Sequence, residues 1–130
     1  MDSSAFLVIG GASAVAFYMA WSIGANDVSN SMSTAVGAKA ITHRQAVLIA
    51  GVLVFLGAVL VGPNVTDTIK SDIVNVDAIS PNLLVLGFIS ALLAAAIWAT
   101  LSSWKEMPIS TTHSIIGALM GFGIIAGGVS

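Results

Sequence analysis

Four long stretches of this 130-residue chain contain no charged side chain. They cover residues 3–26, 45–66, 78–104 and 107–130, and each is at least as long as the roughly 20 residues that a helix needs to cross a bilayer. Hydrophobic residues make up 57% of the chain and charged residues 8%. This composition excludes an ordinary soluble domain and predicts a multi-pass protein of the cell membrane, in contact with the lipid bilayer.

The apolar stretches predict three membrane spans, at about residues 5–24, 45–61 and 83–103. A further segment over residues 108–128 either crosses the membrane or enters and returns as a hairpin. Its start is set by Pro108, which suits the first turn of a helix, and its end is rich in glycine. The fold class is therefore an all-α membrane protein, a polytopic helical bundle, with residues 1–130 forming a single transmembrane unit.

The few charged residues predict the orientation of this bundle. Lys39 and Arg44 lie between the first two spans, and Lys105 follows the third, whereas the second loop combines Lys70 with three aspartates. Basic residues near the ends of spans favour the cytoplasmic side. We therefore expect the loop after span one and the loop after span three to face the cytoplasm.

A run of polar residues from Gly24 to Thr34 follows the first apolar stretch directly. Asn26 and Asp27 place an amide and a carboxylate at the end of this stretch, and Asn30 and Ser31 add further oxygens. These hard oxygen ligands suit an alkali cation, while the amide and hydroxyl hydrogens suit an oxyanion. The residue types alone leave both ligands open.

Two structures are possible for this first polar run. Gly24 and Gly37 bracket it and would allow the backbone to unwind, which is tolerated at membrane depth only where the backbone lines a cavity or is buried in protein. The alternative is a polar loop just outside the membrane, since loops are commonly rich in Gly, Asn and Ser.

A second polar run lies at the predicted start of the last segment. If Pro108 opens a helix, then Ser110, Thr111 and Thr112 lie near its N-terminus, where free backbone amides and the positive end of the helix dipole attract an anion. The alternative is that one hydroxyl caps the helix while the others bond back to carbonyls. His113 could donate to an anion or carry a proton, but a lone histidine more often satisfies a local hydrogen bond.

Both polar runs resemble known motifs. Residues 24–37 resemble the signature of the inorganic phosphate transporter family, and residues 108–118 resemble its second characteristic motif. The two motifs are long and occur in the right order, and the resemblance extends over nearly all 130 residues. It covers about half of the expected length of a family member, its N-terminal repeat.

The resemblance implies a secondary transporter that moves inorganic phosphate together with a coupling cation, sodium in preference to a proton, and no resident cofactor. Family members contain two inverted repeats whose broken or re-entrant helices meet at a central site. The chain would then be one repeat, which needs a second repeat or a second copy of itself.

The resemblance also implies roles for particular residues. Five of them would bind phosphate: Ser110, Thr111, Thr112, Asn30 and Ser31. Three would hold the cation, with sodium at the first two: Asn26, Asp27 and Asn30. Many relatives have an acidic residue where this chain has Val54, so the cation and its stoichiometry stay open.

Other functions are less well supported by the residues. A carrier of sulfate or another oxyanion is the nearest alternative, because hydroxyls and helix amides do not by themselves distinguish tetrahedral anions. A helical membrane subunit without transport activity is a second alternative, in which the polar runs only join helices. An enzyme is least expected, since no nucleophile, base and orienting group can be assembled, and no nucleic-acid partner is expected.

Overall fold

The computed structural model describes residues 3–69 and 79–127. These residues form four α-helices and no strand, with α1 at Ser3–Gly37, α2 at His43–Thr68, α3 at Pro81–Trp104 and α4 at Thr111–Gly127. The first three helices are long and apolar enough to cross a membrane. The prediction of an all-α, polytopic membrane fold is confirmed.

The first polar run lies inside α1, which continues without a break to Gly37. The hydroxyls of Ser29 and Ser31 donate to backbone carbonyls one turn earlier, over 3.0 and 2.8 Å. Because these hydroxyls form hydrogen bonds within α1, the polar run is accommodated without unwinding of the helix. Both expectations for this run, an unwound segment between Gly24 and Gly37 and an external loop, are therefore wrong.

Two helix ends differ from the limits that the prolines suggested. The second helix continues beyond residue 61 and includes Pro63, although proline lacks the N–H that would bond the preceding turn. The last helix begins at Thr111 and not at Pro108. The acidic second loop includes residues 70–78, which lie outside the described part of the chain.

The α2 helix begins with a capping box. The Gln45 N–H donates to the Thr42 hydroxyl oxygen over 3.3 Å, and the Thr42 N–H donates to the Gln45 side-chain oxygen over 2.8 Å. This reciprocal pair satisfies amides that a helix start otherwise leaves free. Ala46 and Ala50 of α2 are buried, whereas larger apolar side chains such as Leu53 and Phe55 are exposed. Such a surface suits contact with lipid.

The centre of the bundle is α3, which packs against both α1 and α4. Its contact surface is formed by small residues that are buried: Ala91, Ala95, Ala96 and Ala99. Small side chains let membrane helices approach closely, because lipid provides no hydrophobic force to join them. The result is a three-helix core of α1, α3 and α4.

The direction of each core helix follows from its contacts. Residues later in α1 contact residues later in α3, from Tyr18 with Thr100 to Asn26 with Ser103, so these helices run parallel. In contrast, α4 runs antiparallel to α3, because its start lies near the end of α3 while Phe122 packs against Phe88. A Cβ at position 87 would overlap the Phe122 ring, so Gly87 makes room for this packing.

The last segment is a single helix that passes along α3 up to Gly127. Within the described residues it does not turn back, as a re-entrant hairpin would. At 17 residues it measures about 25 Å, somewhat less than the hydrocarbon thickness of a typical bilayer. Its antiparallel course returns the chain from the end of α3 toward the level at which α3 begins.

Candidate functional site

The two polar runs meet at one hydrogen bond. Thr111 is the first residue of α4, and its hydroxyl donates to the Asp27 carboxylate of α1 over 2.7 Å. Thr111 is buried, with 6% of its surface exposed, and Asp27 is half-buried. The fold thereby brings a carboxylate to the N-terminal end of a helix.

The start of α4 is capped by its own residues. The Ser110 hydroxyl oxygen accepts the His113 backbone N–H over 3.2 Å, and the Ser114 hydroxyl donates to the Ser110 carbonyl over 2.9 Å. The first residues of a helix have amides without an intrahelical acceptor. The cap uses one of them, at His113, and leaves the N–H groups of Thr111 and Thr112 without a partner among the described residues. These two amides are available to an anion.

A second group of contacts lies on the neighbouring face of α1. The Asn26 side chain is buried and donates from Nδ2 to the Ser103 hydroxyl oxygen of α3 over 3.1 Å. One turn later in α1, Asn30 donates from its own Nδ2 to the Asn26 side-chain oxygen over 2.8 Å. The two amides therefore have coupled orientations.

The same face of α1 carries more polar side chains at four-residue spacing. The Tyr18 hydroxyl lies 2.8 Å from the Thr100 hydroxyl oxygen, and the Ser22 hydroxyl lies 3.0 Å from it. Sequence analysis did not identify this contact between α1 and α3. The signal was present, because Tyr18, Ser22, Asn26 and Asn30 are four residues apart and so share one helix face.

A cavity of about 350 Å³ opens beside this face. On one side it is lined by α1, including Asn26, Ser29 and Asn30. The end of α3 and the following loop form the other side, including Ser103 and Glu106. Glu106 has a left-handed backbone, with φ of 56°, in the turn that ends α3. The cavity has both polar and apolar lining residues, and it borders Asn26 and Asn30, two of the residues that the family resemblance assigned to a cation.

The predicted site residues are only partly brought together. Asp27 contacts Thr111, and Asn26 contacts Asn30. Ser31 is exposed and donates to the Asp27 backbone carbonyl.

Thr112 is exposed and lines a different, mainly apolar cavity toward the end of α2, with Thr68 and Ile115 among its neighbours. For Ser31 and Thr112, the role in phosphate binding therefore rests on the family resemblance alone.

The donor set fits a monovalent cation better than a multivalent metal. No group of three or more His, Cys, Asp or Glu side chains that could hold a metal occurs in the described residues. Along α1 the carboxylate of Asp27 is preceded by the neutral amide of Asn26 and followed, three residues later, by that of Asn30. One carboxylate with neutral oxygens provides little charge for a divalent ion but suits an alkali cation.

The fold and the site define a class of protein, a multi-pass helical membrane protein in which polar side chains from two helices meet within an apolar bundle. The sequence profile of the Phosphate transporter family matches residues 23–130. The chain belongs to this family.

Two relatives and one solved structure illustrate the similarity. A candidate phosphate permease of Pyrococcus furiosus is 56% identical over 115 residues, which is 88% of this chain and 28% of that protein. A sodium-dependent phosphate transporter of Plasmodium falciparum is 45% identical over 113 residues, which is 85% of this chain and 17% of that protein. A solved structure described as the sodium-dependent phosphate transporter shares 52% identity with a TM-score of 0.89, over 95% of this chain and 31% of that one.

The chain thus corresponds to a part of each relative. It spans 28% of the Pyrococcus protein and 31% of the solved structure, which is less than the half expected from the sequence motifs.

Proposed function

We propose that this chain forms one side of a transport site that moves inorganic phosphate across a membrane together with a cation, sodium in preference to a proton. The observation that carries the proposal is the 2.7 Å bond between Thr111 and Asp27. It joins a helix start, which attracts an anion, to a carboxylate, which attracts a cation. The names of the Plasmodium relative and of the solved structure, both sodium-dependent phosphate transporters, support the choice of ions.

Coupling has a physical reason at such a site. Phosphate and the Asp27 carboxylate are both anions, so each would repel the other at short distance. A cation bound beside Asp27 offsets this repulsion and makes phosphate binding more favourable. By reciprocity, bound phosphate increases the affinity for the cation by the same factor.

In this proposal Ser110, Thr111 and Thr112 face phosphate, together with Asn30 and Ser31. The cation is held by Asp27 with the neighbouring amide oxygens of Asn26 and Asn30. The remaining ligands come from a second repeat or a second copy of the chain, because several of these side chains are exposed in the chain as it stands: Asn30, Ser31, Ser110 and Thr112. Alternating access then moves one repeat against the other around the site.

The direct test is phosphate uptake by a chimaera. This chain replaces the matching segment of the solved sodium-dependent phosphate transporter, and radiolabelled phosphate uptake into liposomes is measured with sodium and with proton gradients. We expect uptake driven by sodium, and little uptake by the chain alone. A chimaera that is inserted and folded but takes up no phosphate would refute the proposal.

Two substitutions test the site within this chimaera. Asp27→Asn removes the charge and Thr111→Ala removes the bond to it, and both are expected to reduce uptake at least tenfold. Thr66→Ala is the matched control, because the Thr66 hydroxyl is exposed and donates to the Gly62 carbonyl of its own helix. Normal uptake with both site changes combined would show that the residue assignment is wrong.

Competition distinguishes phosphate from other tetrahedral anions. Excess unlabelled sulfate should leave the uptake of labelled phosphate nearly unchanged. Equal inhibition by sulfate and by unlabelled phosphate would instead support a general oxyanion carrier.

A further inference from the structure

We propose that the Thr111 side chain serves the cation and not the anion: its hydroxyl positions the Asp27 carboxylate, while phosphate is bound at this helix start by backbone N–H groups and the Ser110 hydroxyl. This inference rests on the proposed function and divides the roles of adjacent residues within it. Thr111 is then a positioning residue, which acts on the cation through Asp27. The hydroxyl hydrogens at the start of α4 distinguish the two roles.

The Thr111 hydroxyl has a single hydrogen, and Asp27 accepts it. The bond measures 2.7 Å, and because an ionised carboxylate can only accept, the direction of donation is fixed. While this bond is formed, the hydroxyl has only lone pairs to offer, and these repel the unprotonated oxygens of phosphate. The Thr111 side chain is therefore not available as a donor to phosphate. Its backbone N–H is available, since it has no partner among the described residues.

This contact differs from those of other hydroxyls in the helices. Each of the four helices contains a hydroxyl that donates to the backbone carbonyl four residues earlier: Ser31, Thr66, Thr100 and Ser114. Thr111, in contrast, is buried and donates to a side chain of another helix. A bond of this kind restricts the rotation of the carboxylate as well as that of the threonine. Thr111 thus determines where the Asp27 oxygens lie.

A hydroxyl orients the carboxylate without cancelling its charge. The Oδ2 atom of Asp27 accepts the bond, and Oδ1 makes no hydrogen bond to a described residue. A lysine or arginine partner would also orient the carboxylate but would offset its negative charge. The neutral partner Thr111 leaves that charge in place, so a cation meets a carboxylate that is both oriented and fully charged.

Ser110 has the opposite pattern of hydrogen bonds. Its hydroxyl oxygen accepts the His113 backbone N–H over 3.2 Å, and because an amide N–H can only donate, the Ser110 hydroxyl hydrogen is not used in this bond. Ser110 is exposed, and its hydroxyl hydrogen has no acceptor among the described residues. Together with the free N–H groups of Thr111 and Thr112, it provides donors on three consecutive residues. Several donors suit a tetrahedral anion, which has several acceptor oxygens.

Matched substitutions separate the two roles. Thr111→Val removes the donor to Asp27 at nearly constant shape, and Thr111→Ser keeps it. Ser110→Gly removes the Ser110 hydroxyl, and glycine is itself well tolerated as the capping residue of a helix. Ser114→Ala is the control at the same helix end, because the Ser114 hydroxyl donates to the Ser110 carbonyl within the helix.

The test measures sodium and phosphate binding separately, using the chimaera in lipid nanodiscs. A ligand that binds the folded protein raises its unfolding temperature, so the midpoint of each titration reports affinity. Sodium chloride is titrated without phosphate. Inorganic phosphate is then titrated with sodium well above the midpoint of each variant, and choline chloride keeps the ionic strength constant throughout.

The two sets of variants should respond in opposite ways. Thr111→Val should raise the sodium midpoint by about tenfold or more, as expected for loss of a hydrogen bond to a charged group, and should leave the phosphate midpoint nearly unchanged. Ser110→Gly should raise the phosphate midpoint and leave the sodium midpoint nearly unchanged. Thr111→Ser and Ser114→Ala should resemble the unchanged chimaera in both titrations.

Three outcomes for Thr111→Val would overturn the inference. A raised phosphate midpoint, with or without a change for sodium, would make the hydroxyl an anion ligand. A lower unfolding temperature in choline chloride with both midpoints unchanged would show a purely structural role. The absence of any sodium effect in the unchanged chimaera would remove the cation site itself. If Thr111→Val does not fold, Thr111→Cys provides a weaker donor of similar size and should again raise the sodium midpoint alone.

The result is distinguishable from failure of the proposed function. If the unchanged chimaera takes up phosphate but Thr111→Val raises the phosphate midpoint, only the division of roles is rejected. Conversely, a sodium midpoint that depends on Thr111 in a chimaera without phosphate uptake would reject the proposed transport and retain the positioning role.

Discussion

The Asp27 carboxylate and the Thr111 hydroxyl are 84 positions apart in the chain but share a hydrogen bond. Thr111 is buried, so a hydroxyl without an acceptor there would destabilise the folded chain. The bond to a carboxylate is also stronger than a bond between neutral groups. The pair therefore fixes the start of α4 against α1 as well as bringing the two polar runs together.

A valine at position 111 tests this bond at nearly constant shape. Thr111→Val removes the donor, and loss of a hydrogen bond to a charged group costs about 1.5–3 kcal/mol. If the lost bond raises the activation free energy of transport by this amount, the initial rate of phosphate uptake should fall by about 10- to 100-fold, since each 1.4 kcal/mol is a factor of ten.

The matched change Thr111→Ser keeps the hydroxyl and should retain most of the rate. Uptake by Thr111→Val at the rate of the unchanged chimaera would show that the bond plays no part in transport.

Sequence reasoning identified both members of this pair but not their contact. The residue types indicated a cation ligand in one run and an anion-facing helix start in the other. Their separation along the chain hid the bond, because no local period relates position 27 to position 111. Ser103 was missed for the same reason, since its partner lies on another helix.

Helix ends show how local geometry places the polar residues. Both α1 and α3 end in a turn with a left-handed residue, Lys39 with φ of 58° and Glu106 with φ of 56°. In each turn a later amide bonds back five residues, from Ala40 to Ala35 over 3.0 Å and from Met107 to Ser102 over 2.9 Å. This hydrogen bond is typical of the Schellman motif, in which glycine is the preferred left-handed residue.

Glycine at position 39 should therefore stabilise the chain. A left-handed backbone costs a residue with a Cβ roughly 1–2 kcal/mol, and glycine avoids this cost. We expect Lys39→Gly to raise the free energy of unfolding by about 1 kcal/mol, measured by reversible denaturation in detergent micelles.

The control is Lys39→Ala, which removes the same side chain but keeps the Cβ, and it should give no such gain. Equal stabilisation by both variants would mean that the effect comes from the lysine side chain and not from the backbone.

The number of helices could be predicted from sequence, whereas their ends could not. Length and hydropathy identify membrane helices well, because every backbone amide in lipid needs an internal partner. The prolines gave misleading limits, since α2 continues past Pro63 and α4 begins after Pro108. Continuity of α1 through the polar run was likewise hidden, because the sequence does not show that serine hydroxyls bond back to the helix.

At the scale of the whole molecule, the parallel course of α1 and α3 has a consequence for topology. The short connection after α1 and the loop after α3 must lie on the same side of the membrane, together with the start of α4. Lys39 and Lys105 lie in these two connections, which is the arrangement that the charge rule favours for the cytoplasmic side. The parallel packing thus places both connections on one side of the membrane, and the charge rule assigns that side to the cytoplasm.

Single cysteines can test this orientation directly, because the chain contains no cysteine of its own. Ala38→Cys and Met107→Cys place a thiol in the two connections, and Ser80→Cys places one before α3; all three positions are exposed. A maleimide that does not cross membranes should label position 80 in intact cells and should label positions 38 and 107 only after permeabilisation. Labelling of positions 38 and 107 from opposite sides would contradict the parallel packing of α1 and α3. Labelling of positions 38 and 107 in intact cells, with position 80 labelled only after permeabilisation, would contradict only the predicted orientation. The parallel packing would stand, because it requires only that positions 38 and 107 lie on the same side.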